Sequence, residues 1–151
     1  MKNTVIFDLD GTLALIDKRR DISTKSNGKL DWDKFLDPSN IKLDIPNKSV
    51  VKMAQLFAQD DFTIVIFSGR SDKTATATVS WLSQNKVPFK KLFMRPHKTM
   101  NFVSDEILKK DMLDNHVDID DVFLVVDDRN KVVKMWRSLG LSVFQVADGD
   151  F

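Results

Sequence analysis

The chain has no cysteine, no excess of charge of one sign and no long apolar run. Without cysteine there is no disulfide framework, no thiolate nucleophile and no cysteine-ligated zinc. The 23 basic and 22 acidic residues give a formal net charge of +1, so no overall field draws the protein to nucleic acid or to a membrane. No segment approaches the roughly 18 apolar residues of a membrane span, and the opening MKNTVIFDLDG lacks the pattern of a secretory leader. We therefore expect a soluble cytoplasmic protein that does not contact membranes.

The chain is long enough for one domain with a buried core. It has 151 residues, 42% of them hydrophobic, and we expect residues 1–151 to form a single domain. Runs rich in β-branched and aromatic residues predict strands at 3–8, 62–68, 91–94, 122–127 and 142–146. Helical patterns alternate with them at 50–57, 72–86, 104–113 and 129–140. This alternation predicts an α/β fold, a doubly wound, Rossmann-like parallel sheet of about five strands with helices on both faces.

Residues 14–46 interrupt this alternation. The segment is polar, is broken by Gly28, Pro38 and Pro46, and has only a short helical pattern around residues 31–36. Connections of this length are often lids or binding loops. We expect a small cap here, inserted after the first strand and lying over the edge of the sheet.

The first predicted strand ends in a pair of carboxylates, Asp8 and Asp10. Residues two apart on a strand point to the same side, so the two charges repel unless something offsets them. In an open α/β sheet ligands bind beyond the carboxyl ends of the strands, and polar residues end three of them. These residues are Asp8, Asp10, Thr12, Ser68, Gly69, Arg70, Asp127, Asp128 and Arg129. Four carboxylates without histidine or cysteine favour a hard cation such as Mg²⁺, and the cation in turn favours a phosphate substrate.

Each of these motifs also has a plainer interpretation. D-x-D-G on its own is typical of a turn with a capping aspartate, and Lys109 in EILKKDML is typical of a solvated helix face. Here, three motifs follow strands whose carboxyl ends meet at one edge of a parallel sheet, and this coincidence favours a functional site over the plainer interpretations. His97 and His116 are expected to be surface residues and not catalysts, because the sequence identifies no partner for either. The large aromatic residues expected to pack in the core or between helices are Trp32, Phe35, Trp81 and Trp136.

The motifs together resemble those of the haloacid dehalogenase-like (HAD) phosphohydrolases. DLDGT at 8–12, Ser68 closing FTIVIFS, Lys109 upstream of the last acidic strand, and VVDD ending at Asp128 follow the order of that family. The final stretch DDRNKVVKMWRSLGLSVFQVADGDF is similar to the 3'-phosphatase domain of bacteriophage polynucleotide kinase/phosphatase enzymes. The similarity covers nearly the whole chain and is weakest across residues 14–46.

The resemblance implies a role for each matching residue. Asp8 would be the nucleophile that forms an aspartyl-phosphate, and Asp10 the acid that protonates the leaving oxygen and later activates water. Thr12 would orient Asp10. Ser68 would hydrogen-bond the phosphoryl oxygens, and Lys109 would pair with Asp8 and the phosphate. The implied Mg²⁺ ligands are Asp8, the backbone carbonyl of Asp10, Asp127 and, through water or in support, Asp128.

Further residues match positions that matter in the phage phosphatases. Arg19 follows the first motif, Gly69 and Arg70 follow Ser68, and Asp105 lies four residues before the motif lysine. Because Arg20 adjoins Arg19, the sequence leaves open which of the two contacts substrate.

The implied activity is a Mg²⁺-dependent phosphomonoesterase acting on 3'-phosphates at DNA or RNA ends. The chain lacks the G-x-x-x-x-G-K-[ST] loop of the phage kinase domain, so a phosphatase alone is expected, with a separate polynucleotide kinase or ligase in the same pathway. If the protein is phage-encoded, it would work in the host cytoplasm. A nucleotidase or small-molecule phosphatase is one alternative, and a non-catalytic module whose carboxylates hold a cation is another.

A set of cations could extend the site into a groove that follows a nucleic-acid strand. The bland alternative is a scatter of solvated side chains. The cations are Lys18, Arg19, Arg20, Arg70, Lys90, Lys91, Arg95 and Lys98.

Overall fold

The computed structural model describes residues 1–151, in which strands and helices alternate along the chain. The strands are β1 (Thr4–Phe7), β2 (Ala14–Leu15), β3 (Ile45–Pro46), β4 (Thr63–Ser71), β5 (Lys91–Arg95), β6 (Val122–Asp127) and β7 (Val143–Gln145). The α-helices are α1 (Asp17–Ser23), α2 (Trp32–Phe35), α3 (Lys48–Gln59), α4 (Ala75–Gln84), α5 (Asp105–His116) and α6 (Asn130–Ser138). Short 3-10 helices cover Pro38–Leu43, Asp72–Thr74 and Ile119–Asp121. None of the helices combines the length and apolar character that crossing a bilayer requires.

Five strands form one parallel sheet in the order β5-β4-β1-β6-β7. The first strand lies at the centre, paired in parallel with β4 on one side and β6 on the other. The predicted doubly wound α/β fold is confirmed. β4 continues past the predicted end at residue 68 to Ser71, with a register irregularity against β5 between Ser68 and Ser71.

Helices cover both faces of the sheet. Along β1, Val5 and Phe7 belong to a cluster of 16 buried apolar residues that includes side chains of α3 and α4, whereas Ile6 belongs to a cluster of 11 that includes α5 and α6. Successive strand residues point to opposite faces, so a strand covered on both sides must be apolar throughout. This is why the sequence of β1 shows no alternation.

The flap, residues 14–46, is more ordered than the sequence predicts. The two-residue strands β2 and β3 pair antiparallel and hold the two ends of the flap together. Between them, α2 coincides with the predicted short helix, and α1 is an additional helix. The sequence does not reveal α1 because its only buried residues are Arg19 and Ser23, so it has no apolar stripe.

Candidate active site

The turn after β1 separates the two aspartates that the strand pattern would place side by side. β1 ends at Phe7, before either of them. The carboxylate of Asp8 accepts a hydrogen bond of 2.7 Å from the hydroxyl of Thr12, whereas the carboxylate of Asp10 accepts from arginine side chains. Thr12 therefore orients Asp8, which corrects the expectation that it orients Asp10.

Gly11 brings this turn against the end of β6. Its φ is +86°, a conformation that glycine adopts at little cost. A Cβ at this position would collide with the carboxylate of Asp128. Asp128 Oδ1 also lies 3.5 Å from the Thr12 hydroxyl. The D-x-D-G-T motif and the end of β6 are thus in direct contact.

Three buried carboxylates form the centre of the site, which we call the carboxylate cluster: Asp8, Asp127 and Asp128. One oxygen of each lies within 4.8 Å of the others. Lys109 extends from α5 between two of them, and its Nζ donates to Asp8 at 2.7 Å and to Asp127 at 2.9 Å. The structure therefore brings together residues from β6, α5 and the turn after β1, as the sequence predicts.

The carboxylate cluster has more negative charge than its one lysine can balance. Burial raises the pKa of Asp8 well above its ordinary value, and the charges of Asp127 and Asp128 raise it further, against the effect of Lys109. Burial and the charge of Asp127 likewise raise the pKa of Asp128. For Lys109, the effect of burial is outweighed by Asp127 and Asp8, which raise its pKa and keep it charged. With all three carboxylates ionised, two negative charges are left over, and a divalent cation with oxygen ligands fits them.

The carboxylate of Asp10 follows the same strand as that of Asp8 but lies outside this cluster. Its Oδ1 accepts from Arg70 Nε at 2.8 Å and from Arg19 Nη2 at 3.0 Å. Burial would raise the pKa of Asp10, but the two guanidinium groups outweigh it and lower the pKa. Only the backbone carbonyl of Asp10 is left for the metal role that the resemblance implied. Arg19 is completely buried, whereas Arg20 is exposed, so Arg19 is the arginine that reaches the site.

Asp44 completes an arginine network, which we define as Asp10, Arg19, Asp44 and Arg70. Asp44 lies at the end of the flap and accepts from Arg19 Nε at 2.9 Å and from Arg70 Nη2 at 2.6 Å. Its backbone oxygen accepts from Trp81 Nε1 at 3.0 Å. Two arginines face two carboxylates, so the charges balance. The sequence does not single out Asp44, because it is an ordinary aspartate in the most irregular part of the chain.

The end of β4 provides Ser68 and Gly69. Ser68 is buried, and its Oγ accepts from the backbone N–H of Arg70 at 3.1 Å, which leaves the hydroxyl proton available to a substrate. A Cβ on Gly69 would come within 2.9 Å of the Asp105 carboxylate, so only glycine allows this close packing.

Asp105 contacts other side chains of the site's rim. Its carboxylate accepts from Arg95 Nη2 and, at 2.7 Å, from Arg129 Nη1. Arg95 Nε in turn donates to the Gly69 carbonyl at 3.0 Å. These bonds connect the ends of β4, β5 and β6 around the pocket, and Asp105 supports the loops from this position.

Trp136 and Gly149 contact the site without having been predicted to do so. Trp136 was expected only to pack, yet its Nε1 also donates to Asp127 Oδ2 at 3.2 Å. Gly149 lies so close to the backbone of Asp128 that a Cβ would collide with it, and its carbonyl accepts from Asn130 N at 2.9 Å. No pattern in the sequence distinguishes this tryptophan from a packing residue, and the resemblance covered the tail without giving it a role.

Of the two arrangements that the sequence left open for these cations, the structure does not show a continuous groove. Arg19, Arg70 and Arg95 are bound to carboxylates. Lys90 and Lys91 lie at the start of β5, and therefore at the opposite edge of the parallel sheet from the site. The remaining cations, Lys18, Arg20 and Lys98, are exposed. The guanidinium group of Arg20 lies over the ring of Phe151.

One smaller expectation needs correction, and the two histidines have neighbours that the sequence does not identify. Trp32 is 62% exposed and contacts Phe35 at a ring-centroid distance of 5.9 Å, so it does not belong to the core. His97 has a partner, Asp72, which accepts from its backbone N–H and contacts its Nδ1. His116 stacks on Phe93 with ring centroids 4.2 Å apart.

Comparison with known families gives one match that spans almost the whole chain. Residues 2–151 match the model of the polynucleotide kinase PNKP phosphatase domain. A protein of Autographa californica nuclear polyhedrosis virus, named as a bifunctional polynucleotide kinase/RNA ligase, is 32% identical over 145 residues, which are 94% of this chain and 19% of that protein.

Solved structures give similar results. A chain of the Pnkp1/Rnl/Hen1 RNA repair complex superposes with a TM-score of 0.78 and 31% identity, over 98% of this chain and 43% of that one. A predicted phosphatase from Clostridium acetobutylicum has a TM-score of 0.74 at 15% identity, over 99% of this chain and 86% of that one, and shows the same fold. The chain spans less than half the length of the first two relatives.

Proposed function

The chain belongs to the family of polynucleotide kinase PNKP phosphatase domains and is a HAD-type phosphatase, and from this premise we propose a Mg²⁺-dependent polynucleotide 3'-phosphatase that works through an aspartyl-phosphate. The observation that carries the proposal is the separation of two aspartates into two environments. Asp8 lies beside Lys109 in a negatively charged cluster, while Asp10 lies in a balanced arginine network. Two carboxylates with different surroundings can take different roles in one reaction.

In the first step, a carboxylate oxygen of Asp8 attacks phosphorus and the bond from phosphorus to the ester oxygen breaks. The departing oxygen takes a proton from Asp10, and the phosphoryl group remains on Asp8. Lys109 and Thr12 hold the nucleophile through hydrogen bonds of 2.7 Å each. Ser68 is placed to donate to a phosphoryl oxygen.

In the second step, a water molecule attacks the phosphorus of the aspartyl-phosphate, and Asp10 takes its proton. Asp8 leaves as a carboxylate, and inorganic phosphate is released. The arginines that lower the pKa of Asp10 keep it ionised, which is the form that this step needs. The first step needs the protonated form, and a phosphate dianion arriving near Arg70 would favour it by offsetting the guanidinium charge.

The carboxylate cluster fits Mg²⁺ by its charge and its donor atoms. Asp8, Asp127 and the backbone carbonyl of Asp10 would hold the cation, with Asp128 binding it through water or supporting these ligands. Bound Mg²⁺ would supply positive charge against the phosphoryl oxygens during transfer.

Nucleic-acid ends are the proposed substrates because the family acts on polynucleotides by name and two relatives belong to nucleic-acid repair or ligation proteins. The relatives are a polynucleotide kinase/RNA ligase and a member of an RNA repair complex. We propose that this phosphatase works in the same kind of pathway, with kinase and ligase activities as partners. The cytoplasmic location expected from the sequence stays a prediction.

A nucleotidase is the second candidate, and one observation favours it. Arg19, Arg70 and Arg95 are bound to carboxylates, so fewer cations are available for a long polyanion than the sequence suggests. A small phosphate ester needs only the pocket itself.

A substrate panel separates the two candidates. The specificity constant kcat/KM is measured for a 3'-phosphorylated oligonucleotide, the matching 5'-phosphorylated oligonucleotide and a mononucleotide 3'-phosphate, each at two salt concentrations. A polynucleotide 3'-phosphatase prefers the 3'-phosphorylated oligonucleotide, and its kcat/KM falls with salt while that of the mononucleotide changes little. Equal salt dependence and a preference for the mononucleotide would establish the nucleotidase.

A further inference from the structure

Phe102 is almost completely exposed on the rim of the site. It is 98% exposed, in the loop between β5 and α5. Because β5 runs parallel to the strands that carry the site, this loop leaves the sheet at the same edge as Ser68 and Asp127. Exposed apolar residues are common, but an uncovered aromatic ring at the edge of the sheet that carries Ser68 and Asp127 can stack on a nucleic-acid base.

The backbone around Phe102 is held in place. Arg95 Nη1 donates to the carbonyls of Met100, at 2.7 Å, and of Val103. The same guanidinium group donates through Nε to the carbonyl of Gly69 at 3.0 Å, next to Ser68. Arg95 therefore fixes the loop that presents the ring to the end of β4, and the ring itself stays uncovered.

Two lysines lie on the same rim without ion pairs. Lys73 follows the end of β4 and Lys98 follows the end of β5, both exposed. The two segments are joined by the contact between Asp72 and His97. The charge of Lys98 acts on the nearby Asp72 carboxylate without forming an ion pair. Arg95 is bound to Asp105, whereas the ammonium groups of Lys73 and Lys98 form no ion pair and can contact an anion.

We propose that residues 72–73 and 97–102, here called the strand rim, bind the single-stranded end of a nucleic-acid substrate. A base near the 3' end stacks on Phe102, and Lys73 and Lys98 bind phosphates of the backbone. The inference rests on the proposed function and adds to it the position and the strandedness of the substrate. An unpaired strand suits the rim because its bases have free faces, and stacking accepts any base.

The ring is tested with substitutions at one position. Phe102→Ala should lower kcat/KM for a 3'-phosphorylated single strand roughly 5- to 150-fold, the range found for losing one stacked base. Phe102→Leu should lower kcat/KM similarly, because leucine has no aromatic face. Phe102→Trp should keep kcat/KM near the wild-type value. None of the three should change turnover of a chromogenic phosphate ester, which has no base.

An abasic scan identifies the partner of Phe102. Oligonucleotides that lack one base at successive positions from the 3' end are compared on wild type and Phe102→Ala. At the stacked position, loss of the base and loss of the ring should cost no more together than either costs alone.

The lysines are tested against a matched control on the same strand. Lys98→Ala should reduce the slope of log(kcat/KM) against log salt by about 0.7, the value for one phosphate contact on a single strand. Lys91→Ala removes the same exposed charge from the opposite edge of the sheet and should leave the slope unchanged.

The outcomes separate the inference from the function. One outcome is that wild type removes 3'-phosphates from oligonucleotides while Phe102→Ala and Phe102→Leu do so equally well. That result would overturn the proposed role of the strand rim and leave the proposed function standing, with the ring serving another contact such as one to a protein. If wild type does not act on oligonucleotides, the proposed function and the strand rim fall together. An equal loss on the chromogenic ester would show that Phe102 only maintains the pocket.

Discussion

The carboxylate cluster and the arginine network are neighbouring groups of charges that differ in their balance. In the first, three carboxylates face one lysine, and in the second, two carboxylates face two arginines. Burial raises the pKa of Asp8 in the first, whereas two guanidinium groups lower the pKa of Asp10 in the second, against the effect of burial. Burial raises the pKa of Asp44 in the second group too, against its two arginines, so the difference between the groups lies in the number of opposite charges: each carboxylate of the second group contacts an arginine, whereas the first has three carboxylates for one lysine.

This difference shows how an active site can combine reactivity with a defined shape. Excess negative charge is costly in the unliganded protein, but it favours binding of a cation and leaves Asp8 beside the phosphate pocket. The balanced network attaches the flap to the sheet through Asp44 and keeps Asp10 in position. The same substitution should therefore have opposite effects in the two groups.

The largest effect is expected from Asp8→Asn. The change removes the nucleophile, and we expect turnover to fall by on the order of 10⁴-fold or more. The substitution also removes one negative charge from the carboxylate cluster, where three carboxylates face one lysine. The melting temperature of the metal-free protein should therefore stay the same or rise. Phosphate release and thermal denaturation measure the two effects. A variant that keeps near wild-type turnover would show that Asp8 is not the nucleophile.

Asp44→Asn makes the same chemical change in the balanced group. It leaves two buried arginines with one carboxylate, so we expect a loss of about 3 to 5 kcal/mol in the free energy of unfolding. Denaturant titration of the two Asp→Asn variants in parallel compares the groups directly. Equal stability changes in both would contradict the distinction between them.

The smallest effect is expected from Trp136→Phe. The substitution keeps most of the packing but removes the hydrogen bond to Asp127 Oδ2, so Asp127 should hold the cation less well. We expect Mg²⁺ affinity to fall about tenfold, as for loss of similar supporting hydrogen bonds at other metal sites. The readout is the Mg²⁺ concentration that half-maximally raises the melting temperature. Phe93→Leu, a packing change in the same layer, should leave this concentration unchanged.

The fold could be predicted from the sequence because the central residues of β1, β4 and β6, at 5–7, 64–67 and 124–126, are buried on both faces and therefore apolar. The carboxylate cluster could be predicted because strand ends meet at one edge of a parallel sheet. The hydrogen-bond partners of Asp10 and Thr12 could not be predicted from the sequence, because they depend on how the turn at Gly11 directs each side chain. Asp44 could not either, since it reaches the site through the packing of the flap.

The central claim is that Asp8 receives the phosphoryl group with the help of a divalent cation. It is tested most directly by mixing the enzyme with an oligonucleotide bearing a radiolabelled 3'-phosphate, quenching with acid within one turnover, and measuring label on the protein. We expect label on wild type with Mg²⁺ that hydroxylamine removes, as an acyl phosphate requires, and none with a chelator or in Asp8→Asn. Full phosphate release with no label on the protein at any time within the turnover, or equal labelling of Asp8→Asn, would contradict the account.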